Sequence, residues 1–297
     1  MVNPIFGTDV SGVQYLQEYA EGVFATGTYR FIAPQLRSTW QVQFAPYPVQ
    51  ALGSPDIADF NVSSRVDASV FTFDLTASGV AYLKDACNLG ASGVAGSGTY
   101  WSHSYVGRCY SDDYGGVINW RVSGARIDNV TVGPGAGAWK VMTSIVHKPP
   151  TITGAALATG IYMTEWPGAV ADPVLNPDTV TSGSLFTWNA SAWYLADAGF
   201  RVDSNVVPIR VLGEQNMTKY ERTVRDITVM VAPYEGNLQT YIPALNTVGT
   251  GVMTFATGRT ATFGGLYWHG LTQLAFDPAR PAVVGLRGTA RTLSIAG

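Results

Sequence analysis

Short runs of alternating hydrophobic and polar residues cover most of the chain between residues 206 and 295. Alternation with a period of two is typical of a β-strand that buries one face, and Val, Ile, Thr, Phe and Tyr favour strands. The segments between the runs are rich in Gly, Asn and Pro, which favour turns. The pattern predicts strands over residues 206–212, 221–232, 251–256 with 261–268, 270–276 and 282–295.

One stretch within this region breaks the alternation. In residues 236–246, Leu238, Tyr241 and Leu245 recur at helical spacing, which predicts a short amphipathic helix. Pro243 lies inside the stretch. Because proline lacks the backbone N–H that a helix interior needs, this helix must be short or begin late.

The same order of runs and turns occurs in the first half of the chain. Corresponding positions differ by an offset that falls only from 160 to 144 residues. This order predicts an internal duplication of one strand–strand–helix–strand–strand unit. A chance likeness between two β domains is the alternative, since the hydrophobic pattern matches better than residue identity does. The matching segments are 49–53 with 209–213, 71–75 with 227–231, 82–90 with 241–249, 118–120 with 266–268, and Pro134 with Pro278.

The first half predicts its own elements by the same reasoning. Asp9 is a suitable N-cap for a brief helix over residues 9–24, and Ser78 is one for a helix over residues 76–88. The alternating runs of this half predict strands over residues 29–31, 40–44, 60–75, 117–132 and 137–147.

The clearest boundary in the chain is the sequence Lys148-Pro149-Pro150, because consecutive prolines interrupt regular structure. At 297 residues the chain also has the length of two domains. The sequence therefore predicts a mainly β protein with two tandem β-sandwich or barrel domains, residues 1–150 and 151–297. Each domain is expected to carry a short flanking helix.

Residues 89–116 distinguish the two units, because the corresponding span of the second unit, residues 249–259, is much shorter. A long segment inside a compact domain is usually functional or mobile. Its Gly, Ser and aromatic residues are those that adaptable contact surfaces use, and they favour a contact loop. A hairpin tip without a partner is the alternative. The candidate contact residues are Tyr100, Trp101, Tyr105, Tyr110 and Tyr114.

Charged residues make up only 13% of the chain and hydrophobic residues 46%, whereas about a quarter charged is usual. Such a composition favours a protein whose exterior is covered by neighbours; a rigid secreted β protein is the alternative. The net charge is −3, with 9 basic and 11 acidic residues in 1–150 and 9 and 10 in 151–297. Neither half has the basic excess of a nucleic-acid clamp.

Cys87 and Cys109 are the only cysteines, too few for a disulfide framework. They can form one bridge or stay reduced in a cytosol, and Cys87 falls on the apolar side of a predicted helix. No positively charged and then apolar leader follows Met1, and no apolar run has the length of a membrane span. We therefore expect a protein that is made in the cytoplasm and has no membrane partner.

No catalytic constellation is recognisable in the sequence. His103, His147 and His269 lie in unrelated contexts, and neither a metal-binding His spacing nor a nucleophile elbow nor a P-loop occurs. The adjacent Asp112 and Asp113 lack the pattern of a calcium loop, so solvated turn carboxylates are the simpler interpretation. We expect no enzyme activity, no cofactor and no metal site.

With one helix among long strands and alternating runs at 206–212, 225–233, 238–249 and 263–292, the second unit resembles the major tail tube protein of long-tailed bacteriophages. The first unit resembles it in outline. The resemblance implies a structural virion protein. Family members with one unit form six-fold rings, and two fused units imply three-fold rings that mimic six. The insertion at 89–116 departs from the family pattern, as does the long connector at 151–205.

The resemblance further implies a homo-oligomer of the virion tail that is made in the cytoplasm of a host bacterium. Rings of three copies would stack into a tube, with a tape-measure protein inside and a tail-terminator protein at its end. DNA would pass through the lumen without sequence-specific contacts. Residues 89–116 and an arm at residues 1–8 are then expected to make contacts between rings. A tail-completion ring component would share these features.

Two other classes of protein fit the same composition. One is a carbohydrate- or receptor-binding β module that uses Trp101, Tyr105 and Tyr110, since aromatic side chains combine apolar area with a polar edge. The other is a capsid or decoration protein with a jelly-roll fold. Only a tube subunit is expected to form rings or filaments, whereas glycan binding would favour the first of these alternatives.

Overall fold

The computed structural model describes most of the chain as β structure. It covers residues 13–32, 37–50, 57–89, 102–111, 116–135, 138–153, 161–163, 186–193, 195–209, 211, 216–233, 245–256, 258–277 and 280–297. Within these ranges the predicted mainly β fold is confirmed, with one helix among nineteen strands.

The elements follow one another along the chain in two series. The N-terminal series is β1 (Gln14–Gln17), β2 (Gly27–Phe31), β3 (Arg37–Gln50), β4 (Ile57–Asp74), α1 (Ala77–Ala86), β5 (His103–Ser111), β6 (Gly116–Pro134), β7 (Trp139–His147), β8 (Thr151–Thr153) and β9 (Ile161–Met163). The C-terminal series is β10 (Phe186–Trp188), β11 (Ser191–Trp193), β12 (Leu195–Asp203), β13 (Val206–Ile209), β14 (Lys219–Arg222), β15 (Asp226–Pro233), β16 (Val248–Ala256), β17 (Arg259–Asp277), β18 (Arg280–Ala290) and β19 (Thr292–Ala296).

Seventeen strands belong to one sheet, and β13 pairs with β14 in a separate hairpin. The centre of the sheet runs β3–β4–β7–β6–β12–β15–β18–β17, and each of these neighbours is antiparallel. Strands β6 and β17 are long, and the two parts of each strand pair with different partners. The N-terminal part of β6 pairs with β5 and β8, and that of β17 pairs with β16 and β19.

The two series share one pairing scheme. The pairs β1–β2, β1–β5, β3–β4, β4–β7, β5–β6, β6–β7 and β6–β8 recur as β10–β11, β10–β16, β12–β15, β15–β18, β16–β17, β17–β18 and β17–β19. An internal duplication would produce such a recurrence, and the duplication stays a prediction.

The two series nevertheless share one body. Strand β6 pairs with β12 through partners such as Val132 and Phe200, and a single hydrophobic cluster contains buried residues of both series. Strands β8 and β9 pair with β6 and β2, so the N-terminal series continues to Met163. The division into domains at residue 150 stays a prediction.

The core lies against one face of the central sheet. Residues paired directly across antiparallel strands share a face. One buried row crosses seven strands, with Gly288 as its member on β18 and fully buried side chains on the other six. Rings from the other side of the core complete it: Phe200 on β12 contacts Phe255 on β16 and Phe263 on β17, at ring-centroid distances of 6.4 and 5.2 Å. The buried side chains of this row are Phe73, Val141, Val132, Phe200, Val229 and Trp268.

Helix α1 covers part of this core, and the helix predicted over residues 76–88 is confirmed. Its N-cap is Thr76 and not Ser78, because the Thr76 Oγ1 accepts the Gly79 N–H at 3.1 Å. Tyr82 and Leu83 are fully buried on its inner face. The expectation that Cys87 is a core residue is also confirmed, since it is buried just past the last turn.

Two predicted elements are wrong within the described residues. The helix over residues 9–24 is replaced by β1, which pairs with β2 and β5. The helix would place Tyr19 and Val23 on one apolar face with Val13 and Leu16, but both are exposed, so strand pairing outweighs a weak helical spacing. The loop at 89–116 contains β5, because His103–Ser111 pairs along its length with β6. Most of the helix predicted over residues 236–246 lies outside the described residues.

Candidate assembly surface

The central sheet has a second face that the described residues leave uncovered. One row on this face runs from β4 to β17 and contains Thr72, Met142, Thr131, Arg201, Thr228, Thr289 and Tyr267. Met142 is 41% exposed and Met230, on the same face, is 42% exposed. The alternation of each strand explains the contrast, because successive side chains point to opposite faces. The molecule therefore presents a broad, largely neutral sheet face to its surroundings.

Two cations on this face each lie beside a carboxylate. The Lys140 Nζ lies 2.8 Å from the Asp74 carboxylate, and the Arg201 guanidinium lies 2.6 Å from that of Asp203. The hydrogen bonds that Arg201 donates to the Asp203 carboxylate raise the pKa of Arg201. Exposed pairs of this kind contribute little to stability, but each of these two cations already has a local anion. A third cation, Arg287, is also exposed on this face. The face thus offers a phosphate chain few unmatched positive charges.

Two edges of the central sheet are open within the described part of the chain. Strand β3 pairs only with β4, and four consecutive side chains, Ser38 to Gln41, are exposed on both of its faces. Beyond Trp268, the C-terminal part of β17 pairs only with β18. The corresponding part of β6 has a partner on each side, β7 and β12. Open edges present unpaired backbone groups that another strand can bind.

The residues predicted to form a contact loop do not share one environment. Tyr105 is completely buried on β5, where its ring lies 5.2 Å from that of Phe71. The fold of the chain itself covers this side chain, so its assignment to an exposed contact surface is wrong. Tyr110 lies on β5 at the position paired with Val117. Tyr100, Trp101 and Tyr114 lie outside the described residues, and their role stays a prediction.

Tyr105 instead belongs to a buried polar cluster under α1. Its hydroxyl lies 3.1 Å from that of Tyr82, and the Tyr15 hydroxyl donates to Asp85 at 3.0 Å. Burial raises the pKa of Asp85, of Tyr15 and Tyr82 beside it, and of the nearby Tyr29. Burial also lowers the pKa of His103, which packs beside Tyr15 and Tyr105, to about 4.

A second polar centre is built on Glu18, directly after β1. Its Oε1 accepts the Ser104 hydroxyl at 2.8 Å and the Gly124 N–H at 2.7 Å, and its Oε2 accepts the Gly22 N–H at 2.8 Å. The residue is only 4% exposed. A buried carboxylate with these donors joins three segments of the chain, and nothing in the local sequence around Glu18 signals it.

No local sequence pattern predicts the buried contact between Ser69 and His147. The Ser69 Oγ on β4 lies 2.8 Å from the His147 Nε2 on β7, and the His147 Nδ1 lies 2.7 Å from the Lys148 carbonyl oxygen. Both side chains are buried, and burial lowers the pKa of His147. Because the third group is a backbone carbonyl and the hydroxyl is shielded from solvent, this contact ties two strands together.

Cys87 is a free thiol in the core, so the bridge with Cys109 that the sequence left open is not formed. Burial raises the pKa of this thiol to about 12, which suppresses the reactive thiolate. The described residues include no group of three or more His, Cys, Asp or Glu that could hold a metal ion. No helix among them is long and apolar enough to cross a membrane.

Comparison with known proteins does not indicate a function, so the exposed sheet face and its open edges are the evidence on which a function can be proposed. The sequence matches no protein-family model and no curated protein.

Proposed function

We propose that this chain is a structural subunit of a phage tail tube and that its copies join edge to edge into stacked rings. The observation that carries the proposal is the β6–β12 junction. There the last strand of one four-stranded set, β3–β4–β7–β6, pairs with the first strand of the next, β12–β15–β18–β17. The same junction can be repeated between copies, since β17 and β3 are the corresponding strands and each has an open edge.

Repetition of this junction leads to a closed barrel. Closure removes every free edge, which is how natural sheets avoid open-ended association. Each chain would contribute eight central strands, and three copies would complete a pseudo-hexameric ring around a lumen. The core and α1 occupy one face of the sheet, and they need the greater space outside a closed barrel. The uncovered face, with its paired charges, would therefore line the lumen and let DNA pass without binding.

The remaining partners follow from this role. A tape-measure protein would occupy the lumen during assembly and a tail-terminator protein would close the end of the tube, in the tail of the virion. The role is structural and requires no catalytic residue. The carbohydrate-binding alternative is weakened by the burial of Tyr105, one of the three aromatic residues it requires.

The test is the assembly state of the full chain. Light scattering and negative-stain microscopy should show annular particles or filaments as the protein is concentrated. A Thr39→Lys, Gln41→Lys variant adds charge to exposed positions of the β3 edge and should stop assembly without unfolding the monomer. Thr289→Lys, at an exposed position of the interior strand β18, is the matched control. A wild-type protein that stays monomeric at every concentration and binds a glycan array would overturn the proposal.

A further inference from the structure

The strands on either side of the β6–β12 junction have counterparts at the two ends of the central sheet. On one side, β3 matches β12 residue by residue. Trp40 pairs with Ser69 on β4, and Phe200, 160 residues later in the sequence, pairs with Val229 on β15. Trp40 therefore has the position on β3 that Phe200 has on β12. The next three pairs keep the same offset: Gln41–Ala68, Val42–Asp67 and Gln43–Val66 correspond to Arg201–Thr228, Val202–Ile227 and Asp203–Asp226.

On the other side, β17 matches β6. Each strand skips one residue in its pairing with the next strand, Asp128 on β6 and His269 on β17. Strand β17 skips one further residue, Thr272. The segment of β6 that pairs with β12, residues 129–132, therefore corresponds to residues 270–274 of β17, which have no partner on that side within the described ranges. The matching pairs beyond the first skipped residue are Val130–Thr143 and Val132–Val141 on β6 and β7, and Leu271–Leu286 and Leu274–Val284 on β17 and β18.

The two aromatic side chains at the matching position differ in burial. Phe200 lies opposite Val132 across the junction and is completely buried, whereas Trp40 is 47% exposed. Both strands have a partner on their other side, β15 for β12 and β4 for β3. What β3 lacks, among the described strands, is the neighbour that β6 provides for β12. A partner strand there would cover a large aromatic ring, and such rings contribute much of the energy of an interface.

Hydrogen bonds hold the indole of Trp40 in place on the open edge. Its Nε1–H donates to the Asp67 Oδ1 at 3.2 Å. Asp67 is itself buried and accepts two hydrogen bonds from the Arg65 guanidinium, at 2.8 and 2.9 Å. On β15 the apolar Ile227 takes the position of Asp67, and the ring of Phe200 has no polar atom to orient. An anchor whose orientation is already fixed loses less conformational entropy when a partner covers it.

We infer that one copy of this chain joins a second copy in the register of the β6–β12 junction, with Trp40 as the anchor of the contact. The inference rests on the proposed edge-to-edge assembly and adds to it the register of the two strands and the side chain that becomes buried. In this contact Trp40 takes the place that Phe200 has within the chain. The paired positions on β3 and on β17 of the second copy are Trp40 with Leu274, Gln41 with Gln273, Val42 with Leu271 and Gln43 with Gly270.

A disulfide between matched positions is the direct test of the register. Gln41→Cys with Gln273→Cys is made in the full chain with Cys109→Ser, and the buried Cys87 is kept. The two new cysteines lie opposite each other in the inferred contact, so mild oxidation should give covalent dimers and trimers on non-reducing gels. Gln41→Cys with Asp277→Cys is the matched control. Position 277 lies four residues further along β17, about 13 Å away, which is out of reach of a disulfide.

Substitutions of Trp40 test the anchor. Trp40→Ala should weaken self-association, measured by sedimentation velocity, about tenfold or more, as expected when one central aromatic side chain is lost from an interface. Trp40→Phe copies the residue of β12 and should weaken it much less, because the ring is kept. Ile152→Ala is the control, since this side chain is also exposed but lies on β8, outside the contact. The thermal midpoint of each dilute, monomeric variant distinguishes a lost contact from a lost fold.

The outcomes separate this inference from the proposed function. If the wild-type chain never associates, both fail. If it associates but the Gln41→Cys, Gln273→Cys protein gives no more covalent dimer than the control pair, the register is wrong and edge pairing stands. Association of Trp40→Ala equal to that of the wild type would show that Trp40 is not the anchor. If Trp40→Ala unfolds the monomer, the crosslinking result decides by itself.

Discussion

The two series of strands share a pairing scheme but fill their share of the core with different chemistry. Among the described residues, all but one of the buried polar or charged side chains belong to the N-terminal series, and the exception is Ser204. Both series bury large aromatic rings, but those of the C-terminal series lie among few buried polar side chains. The polar set is Gln14, Glu18, Asp67, Ser69, Thr76, Ser102, His103, Ser104, Asn119, Thr143 and His147, and the aromatic set includes Phe186, Trp193, Phe200, Phe255 and Trp268.

This difference shows that strand order and core chemistry are separate properties of the fold. The pairing scheme needs only alternation and suitable turns. Aromatic packing contributes through buried area, which is insensitive to pH. Buried polar groups contribute only while their hydrogen bonds are complete, because an unmade bond leaves a desolvated group. The stability of the two series should therefore respond differently when a side chain is removed or the pH is changed.

The largest effect is expected from Trp268→Ala in the aromatic series. The indole is fully buried and its ring lies 5.6 Å from that of Trp188 and 5.8 Å from that of Trp193. The cavity left behind should lower the free energy of unfolding by about 4 kcal/mol, measured by urea titration. Met230→Ala, at a position 42% exposed on the uncovered face, is the control. Equal losses for the two variants would contradict the aromatic interpretation.

In the polar series, Glu18→Ala should lower the free energy of unfolding nearly as much as Trp268→Ala, although it removes fewer atoms. It leaves the buried Ser104 hydroxyl and the N–H groups of Gly22 and Gly124 without their acceptor. We expect a loss of about 3 kcal/mol in the free energy of unfolding. Glu221→Ala is the control, since this exposed carboxylate pairs only with Lys219 at the surface. A stable Glu18→Ala protein would show that the carboxylate is not needed to join the three segments.

How much of this contrast the sequence predicts depends on how far apart the contacting residues lie along the chain. Alternation identifies the long strands, and the helical spacing from Val80 to Cys87 identifies α1, because both signals are local. The hairpin match at an offset of 160 residues reappears in the strand register, as Pro48–Phe60 and Pro208–Tyr220. The strand β1 was missed because its partners, β2 and β5, determine its conformation.

The candidate surface was harder to predict than the strands. The Gly- and Tyr-rich character of residues 89–116 suggested an exposed loop, yet the strand β5 takes Tyr105 into the core. The open β3 edge carries only a weak signal, the polar residues on both faces around Trp40. Glu18 and Ser104 are 86 residues apart, and Ser69 and His147 are 78 apart. No local pattern can encode contacts of such separation.

Acid should weaken the polar series selectively. Burial lowers the pKa of His103 to about 4, against about 6.5 in an unfolded chain. Between these values the unfolded state binds a proton that the folded state does not, so stability falls as the pH decreases through this window, by up to about 3 kcal/mol. The raised pKa of Asp85 acts in the opposite direction, because the folded state holds that proton more tightly.

His103→Gln isolates this contribution from that of the other titrating groups. Urea titrations at pH values from 7 to 4.5 should show a shallower dependence for the variant, by up to about 1.4 kcal/mol per pH unit. His269→Gln in the C-terminal series, where the imidazole is exposed and bonded to Thr289, should keep the wild-type dependence. If both variants keep it, His103 is not responsible for the acid sensitivity.

The smallest effect tests one of the hydrogen bonds that join the C-terminal series to the N-terminal series. Tyr220→Phe keeps the buried ring but removes the hydroxyl that donates to the His147 carbonyl. The loss should be about 1 kcal/mol in the free energy of unfolding, the usual contribution of one such bond. Tyr267→Phe, whose hydroxyl bonds the exposed Asn246, should change stability less. A larger loss at Tyr267 would contradict the assigned role of the Tyr220 hydroxyl and would mean that packing of the Tyr220 ring, not this hydrogen bond, holds the side chain in place.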